Sequence, residues 1–162
     1  MPIKIGDRLP PDLKFRVMGP DGPAWKTTEE LFKGKKVVLF AVPGAFTPTC
    51  SNNHLPGFLK NADAFKTKGI DTVAVTGVND VFTFDAWKKA TGAGGKIEFL
   101  ADGNADFAKA IEMTFDGSAG GLGLRSKRYS MLIDDGVVKN INVEESPGKA
   151  ETSSAETLLK QL

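Results

Sequence analysis

Six consecutive apolar residues, Val37 to Val42, follow Lys35-Lys36 and stop at Pro43-Gly44. A short unbroken run rich in β-branched and aromatic side chains predicts a strand buried on both faces. Beyond it the period changes. Leu55, Phe58, Leu59, Ala62 and Phe65 recur at spacings of three and four, which predicts a helix over 48–68. Pro56-Gly57 inside it predicts a kink, and Gly69 a C-terminal cap. Ile70 to Val75 reads as a second strand, and Val81 to Ala90 as a second helix after the capping residues Asn79-Asp80. Ile97 to Ala101 reads as a third strand and Ala105 to Met113 as a short helix. A glycine-rich loop spans Gly117 to Gly123. Tyr129 to Ile133 and Val137 to Val143 flank Asp134-Asp135-Gly136, a hairpin signal, and Glu151 to Leu162 reads as a final helix. The first thirty residues, rich in Pro, Gly and charge, read as an irregular, hairpin-like lead-in. The order β-α-β-α-β-α-β-β-α predicts an α/β fold in which helices flank a central mixed β-sheet.

Composition narrows the function. A length of 162 residues fits a single domain over residues 1–162. Lys plus Arg number 21 against 20 for Asp plus Glu, and a net charge of +1 argues against a nucleic-acid partner. No apolar run approaches the length of a membrane span. No basic-then-apolar leader opens the sequence, so the expected location is cytoplasmic. One Cys and one His exclude an internal disulfide and a Cys/His zinc site.

The chemistry concentrates in Pro43-Gly44-Ala45-Phe46-Thr47-Pro48-Thr49-Cys50-Ser51, which joins the buried strand to the first long helix. Thr47 suits the N-cap and Pro48 the first helical position. Cys50 then falls in the first turn. Unpaired N–H groups and the positive end of the helix dipole favour a thiolate there, and the thiolate is the reactive form. The end of a strand in an α/β sheet is also where ligands bind. On composition alone a free cysteine is an inert, buried small residue. The strand–turn–cap–Cys arrangement points instead to a reactive thiol.

Pro43, Thr47 and Cys50 match the Pro-x-x-x-Thr-x-x-Cys signature of the peroxiredoxins. The match continues in order through His54-Leu55-Pro56-Gly57-Phe58, Val78-Asn79-Asp80, Phe84 with Ala86-Trp87, Phe99-Leu100-Ala101-Asp102 and Arg128-Tyr129-Ser130. Over nearly the whole chain the sequence resembles the type II, peroxiredoxin V-like subfamily. The resemblance implies a thioredoxin-like fold and a thiol peroxidase acting on hydrogen peroxide and alkyl hydroperoxides, with no cofactor. It implies that Cys50 attacks the terminal peroxide oxygen and becomes a sulfenic acid. Thr47 would accept a hydrogen bond from the peroxide, and the Cys50 N–H would stabilise charge on the leaving oxygen. Pro43 would shield the sulfur from water, and Arg128 would hold thiolate and peroxide. One Thr47 lone pair cannot serve both cap and peroxide. Arg125 is a second cation nearby, on the glycine-rich loop, and the Arg-Tyr-Ser match favours Arg128. Many members of the subfamily resolve the sulfenic acid with a second cysteine, whereas Cys50 stands alone here. An external thiol, glutathione with glutaredoxin or else thioredoxin, is therefore the expected reductant. A homodimer formed through Phe46 and the Gly117–Gly123 loop is expected on the same grounds.

His54 lies four residues after Cys50 and shares its helix face. A Cys/His pair also fits a hydrolase nucleophile and base. No orienting third group is evident, and His54 reads as a structural or rim residue. Gly94-Gly95-Lys96 departs from a phosphate loop at Ala90 and Ile97. Gly120-Gly121-Leu122-Gly123 precedes a strand rather than a helix, so both glycine stretches read as turns. The pairs Asp134-Asp135 and Glu144-Glu145 read as solvated. Phe40, Phe46, Phe82, Phe84 and Trp87 read as core, with Phe46 placed to line a pocket or a subunit contact. Two rivals to the peroxidase remain: a cysteine hydrolase, and a redox-insensitive binding module on the same scaffold.

Overall fold

A computed structural model describes residues 1–146 and 148–162. Its strands are β1 (Lys14–Gly19), β2 (Gly22–Thr27), β3 (Lys36–Ala41), β4 (Thr72–Gly77), β5 (Glu98–Ala101), β6 (Thr114–Asp116), β7 (Leu124–Ser126), β8 (Tyr129–Asp134) and β9 (Val137–Val143). The α-helices are α1 (Thr28–Phe32), α2 (Leu55–Lys60), α3 (Ala62–Thr67), α4 (Val81–Thr91), α5 (Asp106–Ala110) and α6 (Ala155–Lys160). Seven strands form one mixed sheet in the order β2-β1-β5-β4-β3-β8-β9. β3, β4 and β5 run parallel, and their remaining neighbours are antiparallel.

The apolar run of β3 is unbroken because the strand is central and feeds two cores. Val38, Phe40 and Val42 join Leu55, Phe58, Phe65, Phe84, Trp87 and Leu158 on the face covered by α2, α3, α4 and α6. Val37, Leu39 and Ala41 join Phe32, Phe107, Tyr129 and Met131 on the face covered by α1 and α5. Alternate side chains of a strand point to opposite faces, so a strand covered on both sides has no polar positions to spare.

The lead-in is more regular than its composition suggests. β1 and β2 pair residue for residue, and Thr27 and Glu30 form a reciprocal capping box that starts α1. The helix over 48–68 is interrupted twice. Cys50–His54 form a π-helical turn, and Asn61 (φ −99°, ψ 6°) separates α2 from α3. Pro56 falls at the junction between the π-helical turn and α2, where it has no N–H to donate back into the preceding turn. The break falls at Asn61, whose side chain donates to Gly57 O at 2.7 Å. The helix expected over 105–113 shortens to α5 because Ala105 (φ 61°) and Glu112 (φ 56°) take left-handed conformations. Asp102 lies beneath α5 and accepts from Phe107 N and Ala108 N, both at 3.0 Å. Burial nevertheless pushes its carboxyl up to about 6. The Asp135-Gly136 turn takes positive φ at both residues, as a tight hairpin requires. Phe82 is a correction to the expected core: it is largely exposed.

Candidate active site

β3 delivers the chain into the Pro43–Thr49 loop at the C-terminal edge of the sheet. Ala45 N donates to Asn79 Oδ1 at 2.9 Å, which ties the loop to the connection between β4 and α4. Pro43 and Gly44 are buried, while Phe46 takes φ 63° and turns its ring outward. The Thr47 hydroxyl donates to Gly44 O at 2.7 Å. Its proton is thus committed to the loop, and its oxygen keeps lone pairs for a donor. Thr47 O accepts from Ser51 N at 2.9 Å and opens the helical segment.

The π-helical turn then widens the helix by one residue per turn, with Leu55 N bonded to Cys50 O. Cys50 and His54 are both buried on its inner side. Arg128 enters from the residue before β8, and it is buried as well. Its Nη2 donates to Cys50 Sγ at 3.0 Å, and its Nη1 meets His54 Nδ1 at 3.1 Å. His54 Nε2 lies 2.9 Å from Ser153 O. A carbonyl can only accept, so the proton sits on Nε2 and Nδ1 accepts from Arg128. Burial, reinforced by the Arg128 charge, pushes the imidazole down to about 3, so the ring is neutral at physiological pH. Phe40 and Phe58 pack against it edge-on.

His54 is therefore neither a rim residue nor a base for Cys50. Both ring nitrogens are committed, one to Arg128 and one to a backbone carbonyl, and neither reaches the sulfur. A hydrolase dyad needs the opposite arrangement, with the base bonded to its nucleophile.

Arg125 lies on β7 rather than on the glycine-rich loop. It donates through Nε to Leu122 O at 2.8 Å and through Nη1 to Pro43 O and Val78 O, both at 3.3 Å. It braces the loop backbone, while Arg128 contacts the thiol. Pro43, Thr47, Cys50 and Arg128 thus lie around one short stretch of chain, with Arg125 behind it.

Two features escaped the sequence reading. Glu144 is not solvated: it is buried, and its carboxylate accepts from Ser153 N at 2.7 Å, Ser153 Oγ at 2.5 Å and Thr152 N at 3.2 Å. Asn79 was legible only as a possible helix cap, although it is Asp80 that caps α4 through Thr83 N. No local sequence pattern carries either contact.

Comparison with known proteins gives consistent likenesses. The family model for redoxins matches residues 4–159. A chloroplastic peroxiredoxin-2E-2 of Oryza sativa subsp. japonica is 48% identical over 165 residues, covering 99% of this chain and 72% of its own. The structure of reduced Prx3 from Vibrio vulnificus in complex with H2O2 superimposes with a TM-score of 0.92, at 49% identity and 98% coverage of each chain. The antioxidant protein of Plasmodium falciparum, a 1-Cys peroxiredoxin, gives a TM-score of 0.90 at 27% identity, over 99% of this chain and 100% of that one.

Proposed function

The chain belongs to the peroxiredoxins, within the redoxin family, and from that membership we propose how its residues perform the peroxidase reaction. It is a thiol peroxidase, reducing peroxides at the expense of thiols. The observation that carries the residue assignment is the 3.0 Å contact between Arg128 Nη2 and the lone cysteine sulfur. In the thiolate form, which is the nucleophile, the sulfur and the guanidinium make a charge-assisted pair.

Cys50 Sγ attacks the terminal oxygen of hydrogen peroxide or an alkyl hydroperoxide. The S–O bond forms as the O–O bond breaks, and the leaving oxygen departs with the bonding pair and takes up a proton as water or alcohol. Sulfur is oxidised to a sulfenic acid. Thr47 Oγ1 accepts from the peroxide because its own proton is held by Gly44 O. Arg128 donates to the oxygens under attack. Pro43 offers no N–H and covers the sulfur. Holding the peroxide in line is worth several kcal/mol of barrier.

Cys50 has no partner cysteine in the chain, so the sulfenic acid is cleared by an external thiol. Glutathione condenses with it, releasing water and leaving a mixed disulfide for a glutaredoxin; thioredoxin is the second candidate. The reading includes a homodimer built on exposed Phe46 and the glycine-rich turn between β6 and β7, and a cytoplasmic location. Among the described residues no helix is long and apolar enough to cross a membrane.

The test is stopped-flow oxidation of the reduced protein by hydrogen peroxide, followed by intact mass. Fast, stoichiometric oxidation of Cys50 is expected, with one glutathione adduct when glutathione is present. Cys50→Ser should lose the reaction and keep the fold. Peroxide turnover by that variant, or full cycling of the wild type with no added thiol, would refute the assignment.

A further inference from the structure

We propose that Glu144, acting through Ser153 and His54, is a positioning residue that fixes the guanidinium of Arg128 against Cys50. The inference rests on the peroxidase reading above and adds a part of the machinery remote from the peroxide. Four links carry it. The Glu144 carboxylate takes the N–H and hydroxyl of Ser153 at 2.7 Å and 2.5 Å. Ser153 O accepts from His54 Nε2 at 2.9 Å. That bond sets the tautomer that leaves Nδ1 to accept from Arg128 Nη1 at 3.1 Å. The other guanidinium nitrogen, Nη2, lies on the sulfur at 3.0 Å.

The loop then closes on itself. Glu144 N donates to Arg128 O at 2.9 Å, so one glutamate holds the backbone of the arginine directly and its head group at three removes. All four residues are buried. The chain that carries Ser153 needs such an anchor, because among the described residues between β9 and α6 there is no helix or strand. An irregular segment of that length loses much backbone entropy when it is held in one place. The carboxylate, with its second oxygen on Thr152 N at 3.2 Å, supplies charge-assisted bonds strong enough to hold it. A second tie, Thr49 Oγ1 to Gly148 O at 3.0 Å, joins the same segment to the turn before Cys50. The carboxylate itself touches neither sulfur nor peroxide, and its effect passes through the imidazole.

The experiment is a double-mutant cycle on the rate of Cys50 oxidation by hydrogen peroxide, with circular dichroism and thermal melting recorded for each variant. Glu144→Gln keeps the volume but replaces one acceptor oxygen with a donor. It should slow oxidation ~10-fold, in line with the cost of small misplacements in a reacting geometry. Ser153→Ala keeps the carbonyl that His54 uses and loses only the hydroxyl bond, so its loss should be ~2- to 3-fold. In an Arg128→Ala background neither substitution should slow oxidation further, because the group being positioned is gone. The same fold-loss in both backgrounds would show a merely structural role and overturn the proposal, as would an unchanged rate for Glu144→Gln in the otherwise wild-type protein. If Glu144→Gln melts before assay, the Ser153→Ala cycle decides the matter by the same criterion. Failure of the peroxidase reading is distinguishable, since the wild type itself would then not be oxidised.

Discussion

Replacing His54 by Gln should change how stability depends on pH, with a sign opposite to that of replacing Asp102 by Asn. His54 is buried and pushed down to about 3 from an ordinary 6.5. As pH falls below 6.5 the unfolded chain takes up a proton that the folded ring refuses, so stability is lost between 6.5 and about 3. Asp102 is buried and pushed up to about 6 from 3.8. Its folded carboxyl takes up a proton that the unfolded one releases, so stability is gained as pH falls from about 6 to 3.8 and lost as pH rises through that window. Between pH 7 and pH 4 these shifts correspond to a loss of ~3 kcal/mol from His54 and a gain of ~2 kcal/mol from Asp102. In the wild type the two oppose each other and leave a net loss of ~1 kcal/mol. Urea unfolding of wild type and variants at pH 7 and pH 4 separates them. Relative to wild type, His54→Gln should gain ~3 kcal/mol on going to pH 4, and Asp102→Asn should lose ~2 kcal/mol. Exposed carboxylates contribute equally to both members of each comparison and drop out. A difference between His54→Gln and wild type that is the same at both pH values would show that the imidazole is not held neutral. The account of how it orients Arg128 would then fail.

Arg128→Ala should slow peroxide oxidation far more than Arg125→Ala, and Arg128→Lys should restore little, because an ammonium cannot reach sulfur and His54 Nδ1 as a planar fork does; a larger loss for Arg125→Ala in stopped-flow measurements would reverse the assignment. Gly77→Ala would place a Cβ 2.8 Å from Val42 O, immediately before the cysteine loop; thermal melting should show a loss of ~1–3 kcal/mol together with reduced peroxidase activity, as overpacking against backbone predicts. Asp80→Ala removes the cap on Thr83 N at 2.7 Å and should cost ~1 kcal/mol in urea titration. Light scattering at micromolar concentration should report a dimer, and Phe46→Ser should weaken it; a fully active monomer would refute the proposed interface.

The parts of this fold that were legible in the sequence are those whose side chains repeat. Val37 to Val42 repeats apolar character without a break and Val137 to Val143 flanks an Asp-Gly turn, and both form strands close to where the pattern puts them, while the stripe from Leu55 to Phe65 keeps its helical spacing across α2 and α3. β6 and β7 span three residues each, too few for a period to show. α1 depends on a capping box, Thr27 with Glu30, inside a stretch whose composition suggests a loop. The cysteine loop was legible because its residue types are unusual together. The bond between Arg128 and His54 was not, because the π-helical turn that aims His54 inward leaves no mark in residue spacing. Glu144 beside Glu145 has the appearance of a solvated pair, and only the fold brings Ser153 to it.

The pairing of β3 with β8 has a consequence for how activity is distributed among molecules. Ala41 lies opposite Tyr129, so the loop bearing the sulfur and the residue bearing the guanidinium leave adjacent strands side by side. Their separation is a reading of strand alignment. Alignment changes in whole residues, ~3.4 Å at a time, and a slip of one sends Arg128 toward the opposite core. Register itself therefore has no intermediate setting, and graded losses of rate, such as that expected of Glu144→Gln, arise from shifts of the guanidinium within the correctly paired sheet. Molecules paired out of register lose the contact between Arg128 and Cys50 altogether and drop out of the rate, and active-site titration should count those that remain.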